Sequence, residues 1–122
     1  MDTNYNLIES LHRVLYSKNT YLDYLEENGG WYFMLNYPNH FLKYSYQLNQ
    51  LFELKYKFEL LPILNSSQND DVLCLYENKY YLIHNYCELG YELKQIFSTP
   101  EEVWQKAIKP DIENYYDIKI EE

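Results

Sequence analysis

The sequence is poor in the residues that bridge, break or sharply turn a chain. Three glycines, four prolines and two cysteines occur in 122 residues. Two cysteines are too few for the disulfide framework of a small secreted domain, so we expect both thiols to be reduced. Glycine-rich phosphate loops, nucleophile elbows and zinc-protease helix motifs are all missing from the sequence. We therefore predict a protein that is not an enzyme and that uses no cofactor.

Positive charge and long apolar runs are also scarce. The net charge is −9, and Arg13 is the single arginine. Because nucleic-acid binding needs clustered Lys and Arg to neutralise phosphates, no nucleic-acid partner is expected. No apolar run reaches the 18 residues of a membrane span, and residues 1–4 lack the basic and apolar regions of a signal peptide. We expect a cytoplasmic protein without a membrane partner.

Acidic and aromatic residues are abundant instead. The chain has 19 Asp and Glu, 16 Tyr, 5 Phe and 2 Trp. Residues 1–30, 65–97 and 98–122 each carry an excess of acids, whereas residues 31–64 carry one extra base. An acidic surface can serve solubility alone or can attract a basic partner. The tyrosines can reflect an AT-rich genome, which is the stronger explanation, or can supply interface anchors.

Two helices are predicted near the N-terminus. Apolar residues at helical spacing predict the first helix over residues 3–16. We expect Thr20 to cap the second helix, with Asp23 in the capping-box position three residues later. Gly29 suits the C′ position, where a positive φ is needed, and so predicts where this helix ends. The apolar residues that carry both predictions are Leu7, Ile8, Leu11, Val14, Leu15, Leu22 and Leu25.

The middle of the chain is rich in strand-forming residues. Two such runs, residues 72–76 and 80–84, flank Glu77-Asn78-Lys79 and predict a β-hairpin. Three further strands are predicted, at residues 31–37, at 41–46 followed by a helical turn through Phe52, and at 58–64, where Pro62 indicates either an edge strand or a strand with a break. Residues 41–56 also fit a helix, and residues 85–97 predict a loop followed by a strand that ends at Ile96-Phe97.

A third helix start follows at Thr99. Thr99 suits the N-cap, Pro100 the first helical position and Glu102 the third. Val103, Trp104, Ala107 and Ile108 are expected on the buried face, Pro110 is expected to end the helix, and the acidic tail 111–122 is either a short final helix or frayed. Because helices and strands are segregated, we predict one α+β domain over residues 1–122 with a mainly antiparallel sheet.

The possible catalytic and metal-binding residues are few. His84 and Cys87 have the spacing of half a zinc site, and Cys74 could be a third ligand, but a structural zinc normally has four. A Cys–His nucleophile pair also needs an orienting third group, and a strand cysteine is ordinarily a small buried hydrophobe. The carboxylates in Glu26-Glu27 and in Glu101-Glu102 diverge by roughly 100° on a helix, so neither is a glycosidase-type pair. We expect no metal site and no catalytic residues.

Three segments, taken in order, resemble the SUKH superfamily of bacterial immunity proteins. Residues 24–30 are similar to a helix of that family ending in an Asn-Gly-Gly turn, and residues 60–63 to a strand with an apolar-Pro-Ile step. Residues 70–76, followed by 96–104, are similar to the family's closing strands and helix. The resemblance covers roughly residues 5–108.

Two positions depart from the family pattern. Lys18-Asn19-Thr20 stands where a Leu-Pro step is usual. Asn69-Asp70-Asp71 replaces a glycine that is often seen before the hairpin. These departures concern the subgroup within the family more than the fold.

The resemblance implies a function as well as a fold. It implies a curved sheet flanked by helices, and tight stoichiometric binding that neutralises a cognate toxin, commonly a nuclease from a contact-dependent or polymorphic toxin system. Since a nuclease is basic, an acidic inhibitor gains electrostatic steering. The alternatives are a regulatory or scaffold domain that binds a cellular protein, and an acidic DNA mimic.

Loops around the predicted hairpin are the expected contact surface, because exposed loops commonly carry function. A solvated surface charge is the simpler explanation for each acid taken alone. We expect a monomer or a weak dimer. The candidate partner-binding residues are Asp70, Asp71, Glu77, Tyr86, Glu88, Tyr91 and Glu92.

Overall fold

The computed structural model describes residues 3–28, 31–33, 60–66, 70–85 and 91–121. Helices and strands are segregated along these ranges. The elements are α1 (Thr3–Tyr16), α2 (Asn19–Asn28), β1 (Tyr32–Phe33), β2 (Leu61–Asn65), β3 (Asp71–Tyr76), β4 (Lys79–Asn85), β5 (Tyr91–Phe97), α3 (Pro100–Val103), a π-helical turn (Trp104–Ile108) and α4 (Lys109–Tyr116).

The five described strands form one sheet in chain order, and every pairing is antiparallel. This confirms the predicted α+β class. β3 and β4 form the predicted hairpin, with Tyr76 opposite Lys79. Its turn has two residues, Glu77 at φ 45° and Asn78 at φ 66°. Two positive φ values in succession match a type I′ turn, whose twist suits a tight hairpin.

The two faces of the sheet belong to different apolar clusters. Alternate residues Leu73 and Leu75 of β3 join the main core together with buried residues of the helices. Val72 and Cys74, which point to the other face, belong to a smaller cluster with Leu60 and Ile83. The main core contains Leu11, Leu15, Tyr21, Tyr24, Trp31, Val103, Trp104, Ile108 and Ile112 among its buried members. The helices at both ends of the described chain therefore pack on one face.

The N-terminal helices follow the prediction with one correction. α1 has the predicted bounds, but α2 begins before Thr20. The Lys18 carbonyl accepts a hydrogen bond from the Leu22 N–H at 3.1 Å, so Lys18 occupies the N-cap position. Thr20 as N-cap is therefore wrong. The buried face of α2 is formed by Tyr21 and Tyr24, beside which the predicted Leu22 and Leu25 are only partly buried.

The C-terminal helix begins as predicted and continues further. Thr99 Oγ1 accepts from the Glu102 N–H at 3.2 Å, which confirms the cap. Pro110 as a helix end is wrong, because α4 includes it. The Lys109 N–H bonds the Trp104 carbonyl in the wider i→i+5 pattern of a π-helical turn. Pro110 then lies in the first turn of α4, where a missing N–H is tolerated.

The π-helical turn also explains the spacing of the apolar residues. Trp104, Ile108, Ile112 and Tyr116 recur every four residues, and the first three are fully buried. In a regular α-helix a four-residue step turns about 400°, so three steps would rotate the stripe by about 120°. A wider turn reduces that drift. The same face of the helical segment therefore meets the core along its length.

The acidic tail folds back on α4. After α4 the chain turns at Asp117, which has φ 55°. The side chain of Glu113 accepts from the Ile120 N–H at 2.8 Å, and Ile120 is buried. Of the two alternatives for the tail, a short helix is therefore observed, and Ile118 and Ile120 after it donate backbone hydrogen bonds to Glu113.

One alternative for the strand that contains Pro62 needs correction, and other strand predictions lie outside the described residues. β1 comprises Tyr32–Phe33. β2 lies between β1 and β3, so the edge-strand alternative is wrong, whereas the alternative of a strand with a break is confirmed by an irregularity between Pro62 and Leu64. Pro62 pairs with Cys74 next to a shift in register. The predicted features at Gly29 and in residues 34–59 fall outside the described residues. Within the described part of the chain, no helix has the length and apolar character of a membrane span.

Candidate functional site

A buried carboxylate lies at the start of β3. Asp71 is only 2% exposed. Its Oδ1 lies 2.7 Å from His84 Nδ1, and its Oδ2 accepts from Lys94 Nζ at 2.9 Å. The side chains of His84 and Lys94 are 26% and 42% exposed, so they separate the carboxylate from solvent. Both oxygens of the buried group are thus paired, as a buried charge requires.

Strand register and one irregularity bring these three groups together. Asp71 lies directly opposite His84 in the β3–β4 pairing. In the β4–β5 pairing the register shifts between Leu82 and Ile83, which leaves Lys94 as the extra residue of β5. A β-bulge re-aims the side chain of the residue that it inserts. The bulge therefore directs Lys94 toward Asp71 across β4.

The predicted partner-binding residues that the structure describes lie in two separate parts of the sheet. Asp70 is exposed beside Asp71, and Glu92 is half-buried opposite His84. Glu77 lies on the hairpin turn at the far end of β3, which at about 3.3 Å per residue is roughly 20 Å away. Tyr86, Glu88 and the Tyr91 side chain fall outside the description, although Tyr91 begins β5. The residues that can be located therefore form two patches.

The expectation that Asp71 is exposed is wrong. A loop position beside the hairpin suggested a solvated acid, but Asp71 is the first residue of β3 and its carboxylate is held between two nitrogen atoms. Its oxygens are therefore committed within the chain. Any contribution of Asp71 to binding must pass through the position of His84 and Lys94.

The two suggested metal ligands that the structure describes, Cys74 and His84, do not converge. Cys74 and His84 lie on opposite faces of the sheet, because Cys74 packs in the smaller cluster whereas His84 pairs with Asp71 on the face of the main core. Burial raises the pKa of the Cys74 thiol, which keeps it protonated and unreactive. Among the described residues, no group of three His, Cys, Asp or Glu side chains could hold a metal ion.

A second candidate site lies between α2 and the C-terminal segment. It is a groove of about 310 Å³. Thr20, Asp23 and Glu27 occur at i, i+3 and i+7 of α2 and therefore share one helical face. The opposite wall belongs to α4 and the residues after it. The lining residues, which we call the α2–α4 groove, are Thr20, Asp23, Glu27, Ile112, Tyr116 and Ile118.

Tyrosine contacts fix the separation of the two walls. Tyr116 donates a hydrogen bond from its hydroxyl to Glu27 Oε2 at 2.5 Å. The Tyr24 ring meets Tyr115 and Tyr116 edge-on, with centroids 5.4 and 5.9 Å apart. Burial, with smaller contributions from the Asp111 carboxylate and the two neighbouring phenols, raises the pKa of Tyr24 to about 12. Tyr24 is therefore neutral at physiological pH.

The groove combines an apolar base with an acidic rim. Ile112 is fully buried at the base, whereas Asp23 and Glu27 are exposed on the rim. Among the described residues that line the groove there is no Lys or Arg. The sequence alone does not reveal this site, although it shows the polar face of α2 and the acidic excess in residues 1–30 and 98–122. What was missing is the knowledge that α2 packs against α4.

Comparison with known proteins gives no relative for this chain. No protein-family model matches it, and no curated protein and no solved structure is significantly similar to it.

Proposed function

We propose that this protein binds and neutralises a basic protein toxin, as the immunity proteins of the SUKH superfamily do. The observation that carries the proposal concerns the described charged side chains: the cations and the carboxylates differ in how far they are paired within the chain and how far they are exposed to solvent. Several cations are engaged within the chain, whereas carboxylates on several elements face solvent. The chain as a whole carries a net charge of −9.

Three of the described cations form ion pairs, and Lys18 lies 5.7 Å above the Trp104 ring. The pairs are Arg13 with Glu9 at 2.7 Å, Lys94 with Asp71 at 2.9 Å and Lys106 with Glu102 at 3.5 Å. The exposed carboxylates include Asp23, Glu26, Asp70, Asp117 and Glu121. An acidic surface of this kind repels nucleic acid, and it attracts a basic protein whose own surface binds nucleic acid.

Inhibition in this proposal is occlusion without chemistry. A nuclease presents Lys and Arg to phosphates, and an acidic protein of cytoplasmic location competes for that surface. Long-range attraction speeds the encounter, and buried aromatic anchors then slow dissociation. Tyr32 and Tyr115 are exposed and available as anchors. The resemblance in sequence supports the same function.

Co-expression with the product of the adjacent gene tests the proposal. The expected result is a 1:1 complex that inhibits the toxin. Its association rate should fall as NaCl rises from 50 to 500 mM, since screening removes the steering. Absence of a complex at micromolar concentrations would overturn the proposal. Capture of a resident cellular protein in place of the toxin would instead favour the regulatory alternative.

A further inference from the structure

We propose that the α2–α4 groove is the binding site for an arginine side chain of a basic partner protein. The identity of that partner rests on the proposed function, but the chemistry of the site does not. The inference rests on three features of the groove: two carboxylates on one rim, an aromatic ring on the opposite wall and an apolar base between them.

The rim can hold one cation with two carboxylates. Asp23 and Glu27 are separated by one helical turn, so their Cβ atoms are about 5–6 Å apart. Tyr116 occupies one oxygen of Glu27 and thereby orients that carboxylate. The second oxygen of Glu27 and both oxygens of Asp23 remain as acceptors toward the groove. A guanidinium with five N–H donors can satisfy them together.

The walls favour arginine over other occupants. An anion would be repelled, and an uncharged apolar group would dehydrate two carboxylates without pairing them. The apolar base at Ile112 matches the aliphatic stem of a long cationic side chain. Lysine shares that stem, but only the planar guanidinium also stacks on a ring such as that of Tyr116.

The size and surroundings of the groove indicate a side chain of a protein. A volume of about 310 Å³ is at the low end of ligand pockets, which span roughly 300–1,000 Å³. Ile118, which lines the groove, is 49% exposed, and Tyr115, next to the lining residue Tyr116, is 51% exposed. Large exposed apolar groups around a desolvated anchor are typical of protein interfaces. Residues flanking the arginine in the partner would cover them.

A titration with a small probe tests the site without the partner. N-acetyl-arginine methylamide is added to the ¹⁵N-labelled protein, and the matched neutral probe is the corresponding citrulline compound. The expected result is shifts at Thr20, Asp23, Tyr116 and Ile118 with arginine and about tenfold weaker binding of citrulline. Equal binding of the two probes, or shifts elsewhere, would overturn the inference. Tighter binding of spermidine than of the arginine probe would do so as well, because it would reassign the groove to small polycations.

Two variants with the same change in charge provide the control. Asp23→Asn removes a groove carboxylate, and Glu26→Gln removes an exposed acid of the same helix that does not line the groove. We expect Asp23→Asn to weaken binding of the arginine probe about tenfold and Glu26→Gln less than twofold. Equal effects would show a general attraction to charge and would contradict the proposal.

The two proposals fail separately. If the wild-type protein binds the arginine probe in the groove but forms no complex with the adjacent gene product, the toxin-binding function is wrong and the site stands. If the complex forms and Asp23→Asn weakens it no more than Glu26→Gln does, the groove is not its anchor and the function stands. Thermal unfolding of each variant confirms that the protein is folded before either result is interpreted.

Discussion

Asp71 is a charged side chain placed where water can hardly reach it. A carboxylate in that position costs several kcal/mol of solvation unless both of its oxygens are paired. His84 and Lys94 supply the partners, and each keeps part of its side chain in water. The network therefore links three neighbouring strands at the end of the sheet. Its first consequence is for stability.

Replacing Asp71 with Asn should destabilise the fold by about 1–3 kcal/mol, because the buried side chain loses its charge and one of its two acceptor oxygens becomes an NH2 group that faces His84 or Lys94. Asp70→Asn is the matched control, because Asp70 is the exposed neighbour, and it should change the free energy of unfolding by less than about 0.5 kcal/mol. Urea unfolding followed by circular dichroism measures both. Equal effects of the two substitutions would show that the ion pairs contribute no net stability.

Tyr24 makes stability sensitive to alkaline pH. Its pKa is raised from 10.0 to about 12 in the folded protein, first by burial and then by the negative charge of Asp111. The neutral phenol is the form that the fold favours, so its contribution is complete below pH 10 and is lost as pH rises toward 12. Burial also raises the pKa of Tyr21 and Tyr80, which adds to the effect in the same direction.

We therefore expect the contribution of these phenols to the free energy of unfolding to be constant up to pH 10 and to fall between pH 10 and 12. Chemical unfolding at half-unit pH steps measures the fall, and absorbance near 295 nm reports phenolate formation. Tyr24→Phe is the informative comparison, because its curve should fall less steeply over that range. A Tyr24→Phe curve parallel to that of the wild type would contradict the assignment.

At the scale of elements, one capping motif sets where the C-terminal helical segment begins. Thr99 caps the Glu102 N–H, and Glu102 in turn accepts from the Ser98 N–H at 3.3 Å. A reciprocal arrangement of this kind satisfies backbone donors that have no partner within the helix. The segment that it starts carries Trp104, Ile108 and Ile112 into the core.

Thr99→Ala should lower the free energy of unfolding by about 1 kcal/mol, since one backbone donor loses its acceptor. Ser98→Ala is the matched control. Ser98 is exposed and contributes its backbone N–H, which the substitution retains. Thermal unfolding of the two variants under identical conditions measures the difference. A Ser98→Ala variant as unstable as Thr99→Ala would show that the side chain of Thr99 is not the relevant group.

Elements whose information is local could be predicted from the sequence. The bounds of α1 follow from its apolar spacing, the hairpin from two strand-rich runs, and the Thr99 cap from four consecutive residues. The predictions at Thr20 and Pro110 were wrong because each residue type is common at a helix boundary but is also compatible with a position inside a helix. A threonine can lie inside a helix, and a proline is accepted in the first turn after a π-helical turn.

The candidate sites were less predictable because they depend on contacts between distant segments. The burial of Asp71 depends on His84 opposite it and on the bulge that directs Lys94 toward it. Neither the register of β3 with β4 nor the bulge in β5 can be predicted from the sequence of β3. The α2–α4 groove joins residues that are up to 98 positions apart in the chain. Such a juxtaposition is a property of tertiary packing, which a single sequence does not display.

At the scale of the whole molecule, the fold brings two acidic segments together. Residues 1–30 and 98–122 both carry a negative excess, and α2 from the first packs on α4 from the second. Like charges held at close range oppose the compact state. The fold is therefore held against its own electrostatic repulsion by the buried apolar contacts between the helices.

Added NaCl should consequently raise the melting temperature at pH 7, by about 2–5 °C between 20 and 500 mM, because screening relieves the repulsion. The same series near pH 4.7, the calculated isoelectric point, is the control and should show a much smaller rise. Differential scanning calorimetry measures both. A melting temperature that falls with salt at pH 7 would mean that attractive ion pairs outweigh the repulsion.

The chain-order arrangement of the sheet has a consequence for how the protein folds. Neighbouring strands from β2 to β5 are close in sequence, so their pairings need only short loops to close. The Trp31–Asp111 and Glu27–Tyr116 bonds instead join residues 80 and 89 positions apart. We expect pulse-labelled amides of β3 and β4 to become protected before those of α2. Docking of the two chain ends would then be the late event, and the α2–α4 groove would form only at that step.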